Sequence, residues 1–116
     1  MKTLIAFVAL AAAALTAQAA PCDADKFEIV SKTGRMDADY LYVVGKVRNN
    51  NAVACGVELK VDLYDRARNL IDTDESWPAS TTNIKAGESY SFKLMMRRER
   101  GVTSYSVDPV RARVWK

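Results

Sequence analysis

The sequence predicts an all-β protein, an antiparallel β-sandwich of about seven strands, and three observations predict it. Val57, Leu59, Val61 and Leu63 alternate with Glu58, Lys60 and Asp62, a period of two. A strand of this kind buries one face and wets the other, so it belongs in an antiparallel sheet with a second layer above it. Turn signals recur about every 8–12 residues along the chain, as in sandwiches. Beyond the N-terminal apolar run, no stretch holds a helical period over three turns.

The first residues read as an address rather than as structure. Met1-Lys2-Thr3 is basic, residues 4–15 form an apolar run too short for a membrane span, and Ala17-Gln18-Ala19 fits a small-x-small cleavage pattern. A secretory signal over 1–19 is expected, leaving one domain over 20–116 that starts at Ala20. A lipoprotein signal, suggested by Cys22, is opposed by Pro21, which stands where a small residue is needed. No second apolar run of spanning length follows, so no transmembrane segment is expected in the mature chain. The product is expected to be exported, periplasmic or secreted, where thiols oxidise. Cys22 and Cys55, the two cysteines, then read as one disulfide. A closed loop of about 34 residues corresponds to roughly 3.8 kcal/mol in the chain-entropy picture. A redox role would want a local Cys-x-x-Cys, which the sequence lacks.

In chain order, Phe27 and Ile29 share one face of a first strand over 27–32. Thr33-Gly34-Arg35 and Asp37-Ala38-Asp39 supply turn chemistry. A second strand runs from 40 to about 48 and ends at Asn49-Asn50-Asn51, since Asn tolerates left-handed backbone and bonds locally. The third strand covers 57–64, and residues 65–69 turn into Leu70-Ile71. From 72 to 85 the pattern loosens: Trp77 is held extended by Pro78, and Ser80-Thr81-Thr82-Asn83 suits a loop or an edge strand. Ala86-Gly87-Glu88 turns into a strand in which Tyr90, Phe92, Leu94 and Met96 alternate with Ser91, Lys93, Met95 and Arg97. Residues 98–101 read as a hairpin connection to a strand over 102–107. Asp108-Pro109 interrupts before 110–115; because Pro109 has no N–H to donate, this last strand is expected to be an edge or bulged.

The residues Val43-Val44-Gly45-Lys46-Val47-Arg48-Asn49-Asn50, followed by Val57 to Asp65, resemble the FxLYD domain family. Val61 stands at the Phe position of that motif, Leu63-Tyr64-Asp65 match it, and Lys85-Ala86-Gly87-Glu88 with Tyr90-Ser91-Phe92 resemble its later turn and strand. The resemblance spans roughly 27–96. It implies an immunoglobulin-like topology, an extracytoplasmic setting and no catalytic residues; Val61, Leu63, Tyr64 and Asp65 would be structural. Cys22 lies outside the first strand, so the disulfide is expected at the periphery rather than between the sheets around a core Trp.

Catalytic signals are sparse. The chain has no His, no Gly-x-Ser-x-Gly and no Ser-x-x-Lys. Asp72, Asp74 and Glu75 could gather a cation or serve an enzyme of envelope polymers, but they lack the spacing of a calcium loop and read as a solvated strand face, as do Asp37 and Asp39. No catalytic, cofactor or metal residue is assigned. Tyr64 is expected to lie across a neighbouring strand or to help close the sandwich edge, with Asp65 capping the next turn; Trp77 is expected to cover one end of the sandwich, its other reading being an exposed anchor. The formal charge is +3, and from residue 93 onward Lys93, Arg97, Arg98, Arg100, Arg111, Arg113 and Lys116 face only Glu99 and Asp108. If the last two strands pair, Arg97, Arg98, Arg100, Arg111 and Arg113 form one basic patch for an anionic envelope component or an acidic protein. The other reading of these arginines is a charged edge that resists aggregation. The functional expectation is a non-enzymatic interaction or accessory domain of the periplasm or envelope, without a nucleic-acid partner.

Overall fold

A computed structural model describes residues 21–116. The signal segment over 1–19 and its cleavage point lie outside the described residues. A short 3-10 turn, Ala24–Lys26, leads into six strands: β1 Phe27–Met36, β2 Tyr40–Asn49, β3 Gly56–Tyr64, β4 Leu70–Ser76, β5 Ser89–Arg97 and β6 Ser104–Arg113. They form two antiparallel three-stranded sheets, ordered β1-β2-β5 and β4-β3-β6. Pairing of the second strand with the fifth, and of the third with the sixth, is the immunoglobulin-like Greek key, with β4 in the place of an added strand beside the third. Six strands stand where about seven were expected. The strands expected over 102–107 and 110–115 are one bulged strand, β6, while residues 80–83 take the loop alternative and Ile84 makes only an isolated bridge to Cys55.

The alternation seen in the sequence builds the core. Leu41, Val43, Val47, Phe92 and Met96 descend from one sheet, and Val57, Leu59, Val61, Leu63 and Val107 from the other, all buried. Full burial of such a side chain contributes about 1.5–3 kcal/mol, so β2 and β3 carry most of the apolar stabilisation. Two glycines permit close approach. A Cβ on Gly34 would run into the Tyr105 ring, and one on Gly45 into the Ser31 carbonyl and the Phe92 ring. Thr33-Gly34-Arg35 is therefore strand, not turn: β1 runs on to Met36, and Gly34 makes room for the aromatic that β6 lays over it. The turn itself is made by Asp37, whose Oδ1 accepts from the Asp39 and Tyr40 N–H groups at 2.9 and 2.8 Å.

β6 is both an edge strand and bulged. Leu59 pairs with Pro109 and Glu58 with Arg111, leaving Val110 as the extra residue beside the proline that cannot donate. The disulfide joins Cys22 to Cys55 with Cα atoms 6.1 Å apart. It is less peripheral than expected, because Cys55 is fully buried at the entry to β3 and only Cys22 is half-exposed. The bridge thus ties the segment before one sheet to the central strand of the other.

The asparagines after β2 depart most from their expected role. None takes a positive φ; among the described non-glycine residues that conformation falls to Arg68, at +70°, and Ser80, at +56°. Asn49 is fully buried. Its Nδ2 donates to the Val53 and Ile84 carbonyls at 2.9 and 2.8 Å, and its Oδ1 accepts from the Asn51 N–H and Nδ2. Asn51 in turn pairs with the Asp23 backbone through both ends of its amide. These two side chains satisfy loop backbone groups such as the Val53 carbonyl and the Asn51 N–H, and give the Ile84 carbonyl a second donor beside the Cys55 N–H.

Candidate anion-binding face

The strand order decides where the C-terminal arginines go. β5 pairs with β2 and β6 with β3, so the last two strands do not pair. Arg97 lies on the outer face of β1-β2-β5, whereas Arg111 and Arg113 lie in register with Glu58 and Gly56 on the outer face of the opposite sheet. Arg98 is bound locally, donating to the Asp37 and Val102 carbonyls at 2.7 and 3.0 Å, and Arg100 sits in the β5–β6 loop. The five residues are distributed over two faces and one end.

The two outer faces differ in kind. On β4-β3-β6 the row Glu58, Lys60, Asp62, Tyr64 is flanked by Glu75 and Thr73 on one side and by Arg111, Asp108 and Ser106 on the other. Both ion pairs among the described residues are here: Lys60 Nζ to Asp62 Oδ2 at 3.5 Å, and Arg111 Nη1 to Glu58 Oε1 at 3.4 Å. Glu58 and Asp62 are buried by their neighbours, each only 8% exposed, and Glu58 Oε1 meets Arg111 as a charge contact without an aligned hydrogen bond. Arg113 stacks on the Trp115 ring, 4.2 Å from its centroid, and Trp115 packs edge-on against Trp77 at 5.1 Å over the site of Gly56. The Tyr64 hydroxyl lies 3.5 Å from both Asp62 and Ser106, reaching toward β6.

On β1-β2-β5 the outward positions fall into five rows across the sheet: Arg97 with Tyr40; Met95, Tyr42 and Arg35; Lys93, Val44 and Thr33; Ser91, Lys46 and Ser31; Ser89, Arg48 and Glu28. Every row carries one cation: Arg97, Arg35, Lys93, Lys46 and Arg48. All five are exposed, and none has a carboxylate within ion-pair distance among the described residues. Glu28 is the one carboxylate on these rows, and its Oε1 accepts from Asn50 Nδ2 at 3.3 Å. Apolar groups lie between the charges. Val44 and Met95 are 46% and 59% exposed, Arg35 stacks 4.5 Å over the Tyr42 ring, and Tyr40 is 6.1 Å from Tyr42. Two shallow grooves open side by side here. One of about 440 Å³ runs between Ser31, Thr33, Lys46, Ser91 and Lys93; the other, of about 420 Å³, lies between Thr33, Arg35, Tyr42 and Lys93. The basic face that could have been found in the sequence was in the outward positions of β2 and β5. Counting charge along the C-terminus missed it, because three of the five cations precede residue 50.

The acidic candidates are separated. Asp72 and Asp74 pair with Leu63 and Val61, on the side turned toward the sandwich interior at its open edge, while Glu75 pairs with Lys60 on the outer side. Asp72 and Asp74 each accept from the next residue's N–H. Two other aspartates are held below the ordinary carboxylate range. Asp37 is lowered by the Asp39 and then the Tyr40 N–H groups, with smaller contributions from Arg35 and Arg98. Asp65 is lowered first by the Asn69 N–H, which donates to its Oδ1 at 2.8 Å and closes the β3–β4 turn. Among the described residues no three His, Cys, Asp or Glu side chains converge as a metal site would need, and no helix is long and apolar enough to cross a membrane.

No family model matches the sequence, and no curated protein matches it. Among solved structures the chain is similar to part of beta-glucosidase 3B from Thermotoga neapolitana in complex with glucose. The identity is 14% and the TM-score 0.47, over 78% of this chain and 16% of that one. The chain therefore spans about a sixth of that enzyme's length, and a likeness at this level says nothing of activity.

Proposed function

We propose that this protein is an exported, non-enzymatic interaction domain of the FxLYD kind, acting in the periplasm or cell envelope, and that it engages an anionic component there through the outer face of β1-β2-β5. The observation that carries the proposal is the row-by-row placement of Arg97, Arg35, Lys93, Lys46 and Arg48 on one exposed face without carboxylate partners. Unpaired cations that share a face sum their fields and raise the local concentration of an anion. Export is supported by the Cys22–Cys55 bridge, which needs an oxidising compartment, together with the signal-like residues 1–19.

Binding of the mature chain to anionic envelope material, followed across salt concentration, tests this reading. Attraction should weaken as the screening length shortens from about 10 Å at 0.1 M to about 3 Å at 1 M. Arg35→Glu with Lys93→Glu should abolish retention, and Arg100→Gln should leave it unchanged. A folded double variant that binds as wild type does would refute the assignment. The intact mass of the exported protein checks the compartment: a start at Ala20 with both cysteines oxidised is expected, and free thiols or a lipid on Cys22 would contradict it.

A further inference from the structure

We infer that the partner of this face is an acidic glycan, lying along the strands with its acid groups on the cation ladder and its sugar rings on Tyr40 and Tyr42. The inference rests on the proposed anion-binding role and adds the ligand's class. Three features carry it.

The first is spacing. Successive outward positions of a strand are two residues apart, about 6.8 Å at ~3.4 Å per residue. The five rows from Arg97–Tyr40 to Arg48 therefore set one cation at each step along the strand direction over roughly 27 Å, on β5, β1, β5, β2 and β2 in turn. A linear polymer with regularly repeated acid groups can answer such a ladder along its length. The second is the chemistry between the charges. Ser31, Thr33 and Ser91 offer hydroxyls in the rows of Lys46 and Lys93, and the 440 and 420 Å³ grooves are shallow channels beside them. Sugar hydroxyls can exchange hydrogen bonds with such groups, and the apolar face of a sugar ring can lie on Tyr42, which Arg35 already braces from 4.5 Å. The third is composition. The fully buried core of a protein–protein interface is depleted in charged residues, lysine among them, whereas here Lys93 and Lys46 occupy the two central grooved rows.

The test titrates the mature chain with a uronic-acid oligosaccharide series of increasing length, with a neutral oligosaccharide, a single-stranded oligonucleotide and inorganic polyphosphate as comparison probes, all at one ionic strength. Affinity should rise with uronate length until the oligomer covers the ladder and then level off. The neutral sugar should not bind. Tyr42→Thr, which keeps a good strand former at the position, should weaken uronate by about three- to tenfold while leaving polyphosphate unchanged. If uronate, polyphosphate and oligonucleotide bind alike and Tyr42→Thr affects none of them, the glycan assignment is overturned and only the general anion-binding reading survives. A preference for the oligonucleotide at matched charge also overturns it. Failure of every anion to bind the folded chain would sink both readings together.

Discussion

The two outer faces of this sandwich are each built on three antiparallel strands and use charge in opposite ways. On β4-β3-β6, carboxylates and cations alternate, Lys60 pairs with Asp62 and Arg111 with Glu58, and Glu58 and Asp62 are nearly shut off from water. On β1-β2-β5, five cations stand exposed with no carboxylate within ion-pair distance among the described residues, separated by tyrosines, a valine and a methionine. The first arrangement satisfies itself and leaves little field to act at a distance. The second keeps its field for something outside the chain. What separates them is pairing: a cation held by a carboxylate within ion-pair distance contributes to stability, and one without such a partner is free for recognition.

Substitutions should divide along the same line. The largest effects belong to what the faces share. Leu63→Ala, at a fully buried position of β3, should cost about 2–5 kcal/mol through lost burial and a residual cavity, read as a shift in the denaturant midpoint. Asn49→Ala should follow at about 1–3 kcal/mol, because the Val53 carbonyl and the Asn51 N–H lose their partner inside the protein and the Ile84 carbonyl keeps only the Cys55 N–H. If Asn49→Ala proved as mild as a surface change, the buried network would not be the hub described.

Smaller effects separate the two faces themselves. Arg111→Ser should cost about 1 kcal/mol: it leaves Glu58 buried without its cation, an effect reduced because Arg111 is itself mostly exposed. Lys93→Ser on the other face should stay within about 0.5 kcal/mol, as surface changes usually do. Equal costs for the two would remove the distinction between a self-neutralised face and a free one.

The smallest effect is at acid pH. Asp37 and Asp65 have folded-state values below the ordinary aspartate range, so their contribution is present above about pH 4 and lost as pH falls through the folded values. Both sit in exposed turns, so Asp37→Asn and Asp65→Asn should flatten the acid limb of a stability–pH curve slightly, with little change at neutral pH. A variant that steepened that limb would reverse the assigned sign.

Much of the fold was legible because burial leaves a period-two trace. β2, β3 and β5 stand where alternation puts them, and Pro109 marks a bulged edge. Less legible were features set by contacts distant in sequence. Gly34 reads as a turn residue until Tyr105 is known to lie over it. Asn49 reads as loop chemistry until its amide is seen to reach the Ile84 carbonyl, 35 residues away. The site suffered most, because a patch depends on which strands are neighbours. Arg97 and Arg111 are close in sequence yet belong to different sheets, while Arg35 and Lys93 are far apart in sequence and line one groove. Alternation says that a residue faces outward, but only the Greek-key pairing says on which side.

The most direct measurement is an amide chemical-shift titration of the mature chain with an acidic polymer, with every resonance assigned. The account predicts saturable, salt-sensitive shifts centred on Arg35, Tyr42, Val44, Lys46 and Lys93, with Glu58, Lys60, Asp62 and Arg111 unmoved. Shifts gathered instead along β3 and β6, or spread evenly over both sheets, would contradict it.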